Sequence, residues 1–165
     1  MKNYNKIIIL LLVSLLVVLG AFWQTGSSVS IAPGVVFKTI TGETIALSEL
    51  KGKPVLVTFW ASDCHSCIQE IPDFIQLHQQ FKSQELTIIA VAMSYDPPNQ
   101  VLNVAQEKHI PYKVALDPQG ELGTAFGNVQ FTPSLFLFDK LGQLVFQKTG
   151  LVALSELQKH ILALG

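Results

Sequence analysis

Hydrophobic positions along this chain form continuous runs separated by periodic stripes. Val55-Leu56-Val57-Thr58-Phe59-Trp60 is continuous, β-branched and aromatic, and it follows Gly52 and Pro54, which predicts a buried strand. Behind it, Ile68, Ile71, Phe74, Ile75 and Phe81 recur at helical spacing. Pro72 falls within this stripe, removes one donor and predicts a kink. Leu86 to Ala92 is a second continuous run and predicts a buried parallel strand. Asp96-Pro97-Pro98-Asn99 predicts a turn, with Asn99 capping a helix from Gln100 to Lys108. Tyr112 to Leu116 predicts a short strand, Asp117-Pro118-Gln119-Gly120 a turn, and Glu121 to Phe126 a short helix.

Two hairpins frame this series. Val35-Val36-Phe37 and Thr44-Ile45-Ala46-Leu47 flank Thr41-Gly42-Glu43. Ser48-Glu49-Leu50 follows as a single helical turn. Leu135-Phe136-Leu137-Phe138 and Leu144-Val145-Phe146-Gln147 flank Asp139-Lys140-Leu141-Gly142, and Ser155 is placed to cap a last helix, Glu156 to Leu164. The order is β-α-β-α and then β-β-α, with a helix and a strand inserted between. It predicts an α/β sandwich with a mixed central sheet and an N-terminal hairpin. The chain has no internal repeat and no low-complexity tract.

Part of the 49% hydrophobic content lies in one block. Residues 7–23 carry no charge, and as a helix they would extend about 25 Å. That is the lower limit for a membrane span and longer than the core of a signal peptide. Lys2 and Lys6 precede the block and the next lysine is Lys38, so the positive-inside rule places residues 1–6 in the cytoplasm and the rest outside. Small residues at Gly26-Ser27-Ser28 and Ser28-Val29-Ser30 are candidate cleavage sites, but neither lies tightly behind the apolar core. An uncleaved anchor in the bilayer is the favoured reading over a cleaved signal peptide. No cysteine lies directly behind the block, which excludes a lipoprotein anchor. Residues 24–33 read as a short polar tether of at most about 35 Å, and residues 34–165 as the folded domain. Beyond the anchor the chain has nine lysines against 12 acidic residues, with no arginine and no basic cluster, so nucleic acid is excluded as a partner.

The only two cysteines, Cys64 and Cys67, lie where the Val55–Trp60 strand gives way to the apolar stripe. The first N–H groups of a helix are unpaired and its dipole is positive there, so a thiolate at that point is stabilised. A spacing of three residues on a helical turn is compatible with a disulfide. The expected chemistry is thiol–disulfide exchange through a mixed disulfide, with Cys64 attacking and Cys67 resolving. Structural zinc would need four ligands, and His65, His78, His109 and His160 show no zinc spacing. Haem attachment would need His at position 68, where the chain has Ile. A structural disulfide would close a very small loop and gain little chain entropy. A copper-handling role, with Cys64, Cys67 and His65 as soft ligands, is the alternative from another functional class.

The stretch Phe59-Trp60-Ala61-Ser62-Asp63-Cys64-His65-Ser66-Cys67-Ile68-Gln69-Glu70-Ile71-Pro72, with Thr132-Pro133 further on, resembles the active site of thioredoxin-fold proteins. It is most similar to the membrane-anchored, extracytoplasmic TlpA/ResA-like branch, and the resemblance runs from about Pro33 to the C-terminus. It implies a thioredoxin-like three-layer sandwich with no cofactor or resident metal. It also implies protein thiol or disulfide substrates, such as apocytochrome c before haem attachment, and a membrane redox partner that recycles the dithiol. Pro133 is implied to be cis and, with Thr132, to lie beside the substrate, with Trp60 as a wall near the site. Glu70 is implied to move protons for the thiols. Asp63, His65 and Ser66 depart from the residues usual at their places, so they are the candidates for tuning the redox potential and the direction of reaction. Asp63 is also a candidate cap of the helix. A peroxidase would carry Thr three residues before its cysteine, where this chain has Ala61.

Overall fold

The computed structural model describes residue 31 and residues 34–164. The expected cytoplasmic segment, the anchor at 7–23 and most of the tether lie outside the described residues. Among the described residues, no helix is long and apolar enough to cross a membrane.

The N-terminal hairpin pairs β1 (Val36–Thr39) with β2 (Thr44–Ala46), with Phe37 opposite Ile45. Gly42 makes the reversal possible: its φ is 83°, and its N–H donates to the Thr39 carbonyl at 3.0 Å. A 3-10 turn over Leu47–Leu50 follows. Inside the sheet, β3 (Val55–Trp60) is flanked by β4 (Thr87–Ala92) in parallel and β6 (Ser134–Phe138) in antiparallel register. β5 (Lys113–Leu116) runs parallel to β4, and β7 (Leu144–Thr149) pairs antiparallel with β6. The full order is β2-β1-β5-β4-β3-β6-β7, a seven-stranded mixed sheet. β1 is antiparallel to β5, so β1 starts at the sheet end where β3, β4 and β5 finish.

Side-chain alternation along β3 divides the core in two. Leu56 and Trp60 face a layer built from α1 (His65–Gln80), α2 (Pro98–Glu107) and α4 (Leu154–Leu162), through Phe74, Leu77, Val101, Ala105, Leu157 and Ile161. Val55, Val57 and Phe59 face the other side, where the short α3 (Glu121–Ala125) and the hairpin pack. Phe126 is the hub of that side. Its ring meets Phe59 and Phe136 edge-on at centroid distances of 5.2 and 5.0 Å. Each fully buried phenylalanine contributes about 1.5–3 kcal/mol from removal of apolar area alone. The sandwich, the mixed sheet and the strand and helix inserted before β6 (β5 and α3) match the arrangement expected from the residue pattern.

The helix starts differ from the sequence reading. α2 begins at Pro98 rather than after Asn99, with Pro97 preceding it, because a proline fits the first helical turn where its missing N–H costs nothing. α4 begins at Leu154 behind Ala153, and Ser155 lies inside the first turn without capping it. Asp117 is a buried acid with a cap's role: its carboxylate accepts the Leu122 and Gly123 N–H groups at 3.0 and 2.8 Å, fixing the start of α3. Pro72 lies inside α1 and has no N–H to donate to the Ile68 carbonyl, yet the helix continues from His65 to Gln80.

Candidate active site

The site is built where β3 ends. Met93 N–H donates to the Trp60 carbonyl at 3.0 Å, so the exits of β3 and β4 run side by side. Cys64 N–H then donates to the Ala61 carbonyl at 3.1 Å, closing the turn from strand to helix. α1 starts directly behind, and its cap residue is Cys64 itself rather than Asp63. Cys64 Sγ accepts the Cys67 N–H at 3.2 Å and lies 3.4 Å from Ser66 Oγ. Sulfur thus takes the place that a serine or aspartate oxygen occupies in an ordinary cap.

Cys64 and Cys67 form a disulfide, with Cα atoms 5.3 Å apart. The two sulfurs differ in access. Cys64 is half-buried at the surface, whereas Cys67 is 3% exposed and packs into the helical core. Asp63 and His65 are both exposed, and His65 Nε2 meets only the Gln69 amide at 3.1 Å. Ser66 is half-buried.

Glu70 is one turn beyond Cys67 and 3% exposed. Its Oε1 accepts the Val152 N–H at 2.9 Å, a contact spanning 82 positions, while Oε2 has no partner among the protein atoms. Burial pushes its carboxyl pKa up, the Val152 hydrogen bond opposes that, and the Asp73 charge adds to it; the net direction is upward. Glu70 lines a cavity of about 10 Å³ together with Thr58, Trp60, Cys67, Ile71, Phe74, Ala90, Ile110 and Tyr112. Thr58 Oγ1 and Trp60 Nε1, both on this wall, are also buried without protein partners. Trp60 is buried and forms one wall of this cavity. Tyr112 closes the cavity, edge-on to Phe74; its burial, and then the charge of Glu70, push its phenol above the ordinary range.

The Thr132–Pro133 peptide is cis, in agreement with the resemblance. The antiparallel register sets Ser134 opposite Phe59, which brings Pro133 to the end of β3 from which the cysteines follow. Pro133 is buried and Thr132 half-buried. Two exposed aromatic residues stand on either side of this sheet end: Tyr95 behind β4 and Phe131 ahead of β6. Sequence reasoning gave no role to Tyr95, Phe131, Thr58, Tyr112 or Asp96. Thr58 had a usable signal, being the one polar residue in an otherwise apolar strand. The others are brought to the site only by strand order.

The sequence profile of the Redoxin family matches residues 26–160. A relative called thiol-disulfide oxidoreductase ResA, from Geobacillus kaustophilus (strain HTA426), is 30% identical over 132 residues, covering 80% of this chain and 75% of its own. ResA of Bacillus subtilis (strain 168) is 31% identical over 130 residues, covering 79% of this chain and 72% of its own. Among solved structures, a thiol:disulfide interchange protein of the thioredoxin family from Chlorobium tepidum TLS superposes with a TM-score of 0.74. It is 25% identical, and the match covers 85% of this chain and 99% of that one.

Proposed function

The chain belongs to the Redoxin family as a TlpA/ResA-like thiol–disulfide oxidoreductase, and from that premise we propose that it works outside the cytoplasmic membrane as a reductant of partner proteins. The observation that carries the order of steps is the unequal access of the two sulfurs at the helix start. In the reduced protein, the Cys64 thiolate attacks a substrate disulfide. A bond forms between Cys64 and one substrate sulfur, and the other substrate sulfur leaves as a thiolate. Cys67 then gives its proton to the Glu70 carboxylate and attacks Cys64 Sγ, releasing the second substrate thiolate. Two electrons pass from the dithiol to the substrate, and the Cys64–Cys67 disulfide remains.

An extended substrate segment would lie along Thr132 and Pro133, with Tyr95 and Phe131 offering apolar contact on either side. Asp63, His65 and Ser66 would set the potential. Apocytochrome c is the proposed substrate, by analogy with the TlpA/ResA-like branch, and a membrane redox partner would return electrons to the pair. The uncharged block at 7–23 is the support for a bilayer anchor, with the catalytic domain on the periplasmic or exterior side.

The test of direction is the reduction potential of the pair, measured by equilibration with glutathione. A reductase is expected near the thioredoxin value of about −270 mV, whereas a value near the roughly −120 mV of a strong oxidant would reverse the assignment. Alkylation of the reduced protein near neutral pH is expected to label Cys64 first; faster labelling of Cys67 would exchange their roles. Copper titration of the reduced protein separates exchange from metal handling by the same thiolates. Residues 1–30 are expected to be dispensable for folding. A chain beginning at Ile31 should be soluble and reduce insulin at the full-length rate, and unfolding or lost activity would move the domain boundary.

A further inference from the structure

The Asp96 carboxylate spends both its oxygens on one residue. Ser62 N–H donates to Oδ2 at 2.6 Å, and Ser62 Oγ–H donates to Oδ1 at 2.5 Å, across 34 positions of sequence. Asp96 is 6% exposed, and burying an acid is costly unless its oxygens are used. The Ser62 hydroxyl has one proton, already given to Asp96. Gln100 Oε1 lies 3.2 Å from the same hydroxyl, a longer and competing acceptor for that one proton. Ser62 is the second residue of the Ala61–Cys64 turn, which otherwise rests on the single Cys64 N–H to Ala61 bond.

We propose that Asp96 is a positioning residue for disulfide exchange: by holding Ser62 it keeps Cys64 where the Cys67 N–H meets its sulfur. Removing the carboxylate leaves the Ser62 N–H without its acceptor and lets the turn relax. The bond from Cys67 N–H to sulfur weakens steeply with such a shift, and the thiolate loses the group that favours it. The proposal rests on Cys64 being the attacking cysteine.

Charge alone would act in the opposite direction. An anion near a thiolate opposes it, so losing the Asp96 charge would favour the thiolate. The other charged or titratable groups at this end are Asp63 and His65 on the same turn, both exposed, Glu70 on α1, the exposed Tyr95 beside Asp96, and Tyr112 of the cavity wall behind Cys67. None of them changes in the variants below, so the sign of the effect separates hold from charge.

The experiment is the pH profile of iodoacetamide alkylation in the reduced full-length protein, with Cys64 and Cys67 peptides resolved by mass spectrometry. Asp96→Ala is expected to move the Cys64 midpoint upward and slow its labelling about threefold at neutral pH, the equivalent of half a pKa unit. Asp96→Asn keeps an acceptor for the Ser62 N–H and can donate to the Ser62 oxygen, so it should label at no less than the wild-type rate. Asp96→Ser removes the reach while keeping a small polar side chain; it should behave like Asp96→Ala and serves if that variant does not fold. A Cys64 midpoint that is unchanged in Asp96→Ala and Asp96→Ser, or that falls in all three variants, overturns the proposal. A merely structural role would lower the thermal midpoint of Asp96→Ala without moving the profile. If the wild type labels Cys67 first, the assignment of Cys64 fails, and that is read before any variant is made.

Discussion

Cys64→Ser is expected to bring insulin reduction down to the uncatalysed rate, while Cys67→Ser is expected to accumulate partner proteins covalently attached through Cys64. The asymmetry follows from access and from hydrogen bonding. Cys64 caps α1 at the surface and accepts the Cys67 N–H, so its thiolate is both stabilised and within reach of a substrate. Cys67 is enclosed by core side chains and can reach only a sulfur that Cys64 has already brought to it. Without Cys67 the first bond still forms and nothing releases it. Mass spectrometry of trapped species identifies the linking cysteine. Adducts through Cys67 in a Cys64→Ser background, or steady turnover by Cys67→Ser, would refute the order of attack.

Glu70→Gln is expected to slow resolution of the mixed disulfide by roughly 10²-fold, the lower end for loss of a positioned proton carrier, and to leave the first attack nearly unchanged. Gln preserves the shape, and its Oε1 can still accept the Val152 N–H. What it removes is the titration. The folded carboxyl has its pKa raised, so the folded state holds this proton more tightly than the unfolded chain does. Wild-type stability should therefore fall as pH rises from the ordinary carboxylate range through the raised value, and Glu70→Gln should flatten that fall. The two readouts are independent: stopped-flow release of substrate thiol from pH 6 to 9, and denaturant unfolding across the acid range. Wild-type release rates in the variant would remove Glu70 from the proton path.

Much of this was legible in the residues. The continuous run before Cys64 and the periodic stripe after it fixed the strand, the helix and the disulfide between them, because local periodicity decides such elements. Glu70 stood out as an acid among Ile68, Ile71 and Phe74. The partners of these groups were hidden because they depend on pairing between distant segments. Asp96 looked like part of a turn before two prolines, and only the parallel pairing of β3 with β4 brings it to Ser62. Val152 is an apolar residue whose contribution is a backbone N–H, so its side chain carries no signal. The cap of α1 stayed open in the residues for a related reason, with Asp63 either capping the helix or facing water. Asp63 is a better capping residue by type, but one residue closer to the helix the cysteine sulfur accepts the bond instead.

The direction of β1 bears on how the domain would stand on a membrane. β1 starts at the sheet end where β3, β4 and β5 finish, and only three strand spacings, about 14 Å, separate it from β3. The chain therefore enters β1 at the sheet end that carries the disulfide. Were residues 7–23 held in a bilayer, as proposed above, a tether of at most about 35 Å would keep the disulfide end of the sheet near the lipid surface. Proteins lying close to the headgroups would then be the best placed to reach Cys64. Selectivity would then come from confinement in a thin layer as well as from contacts around the sulfur.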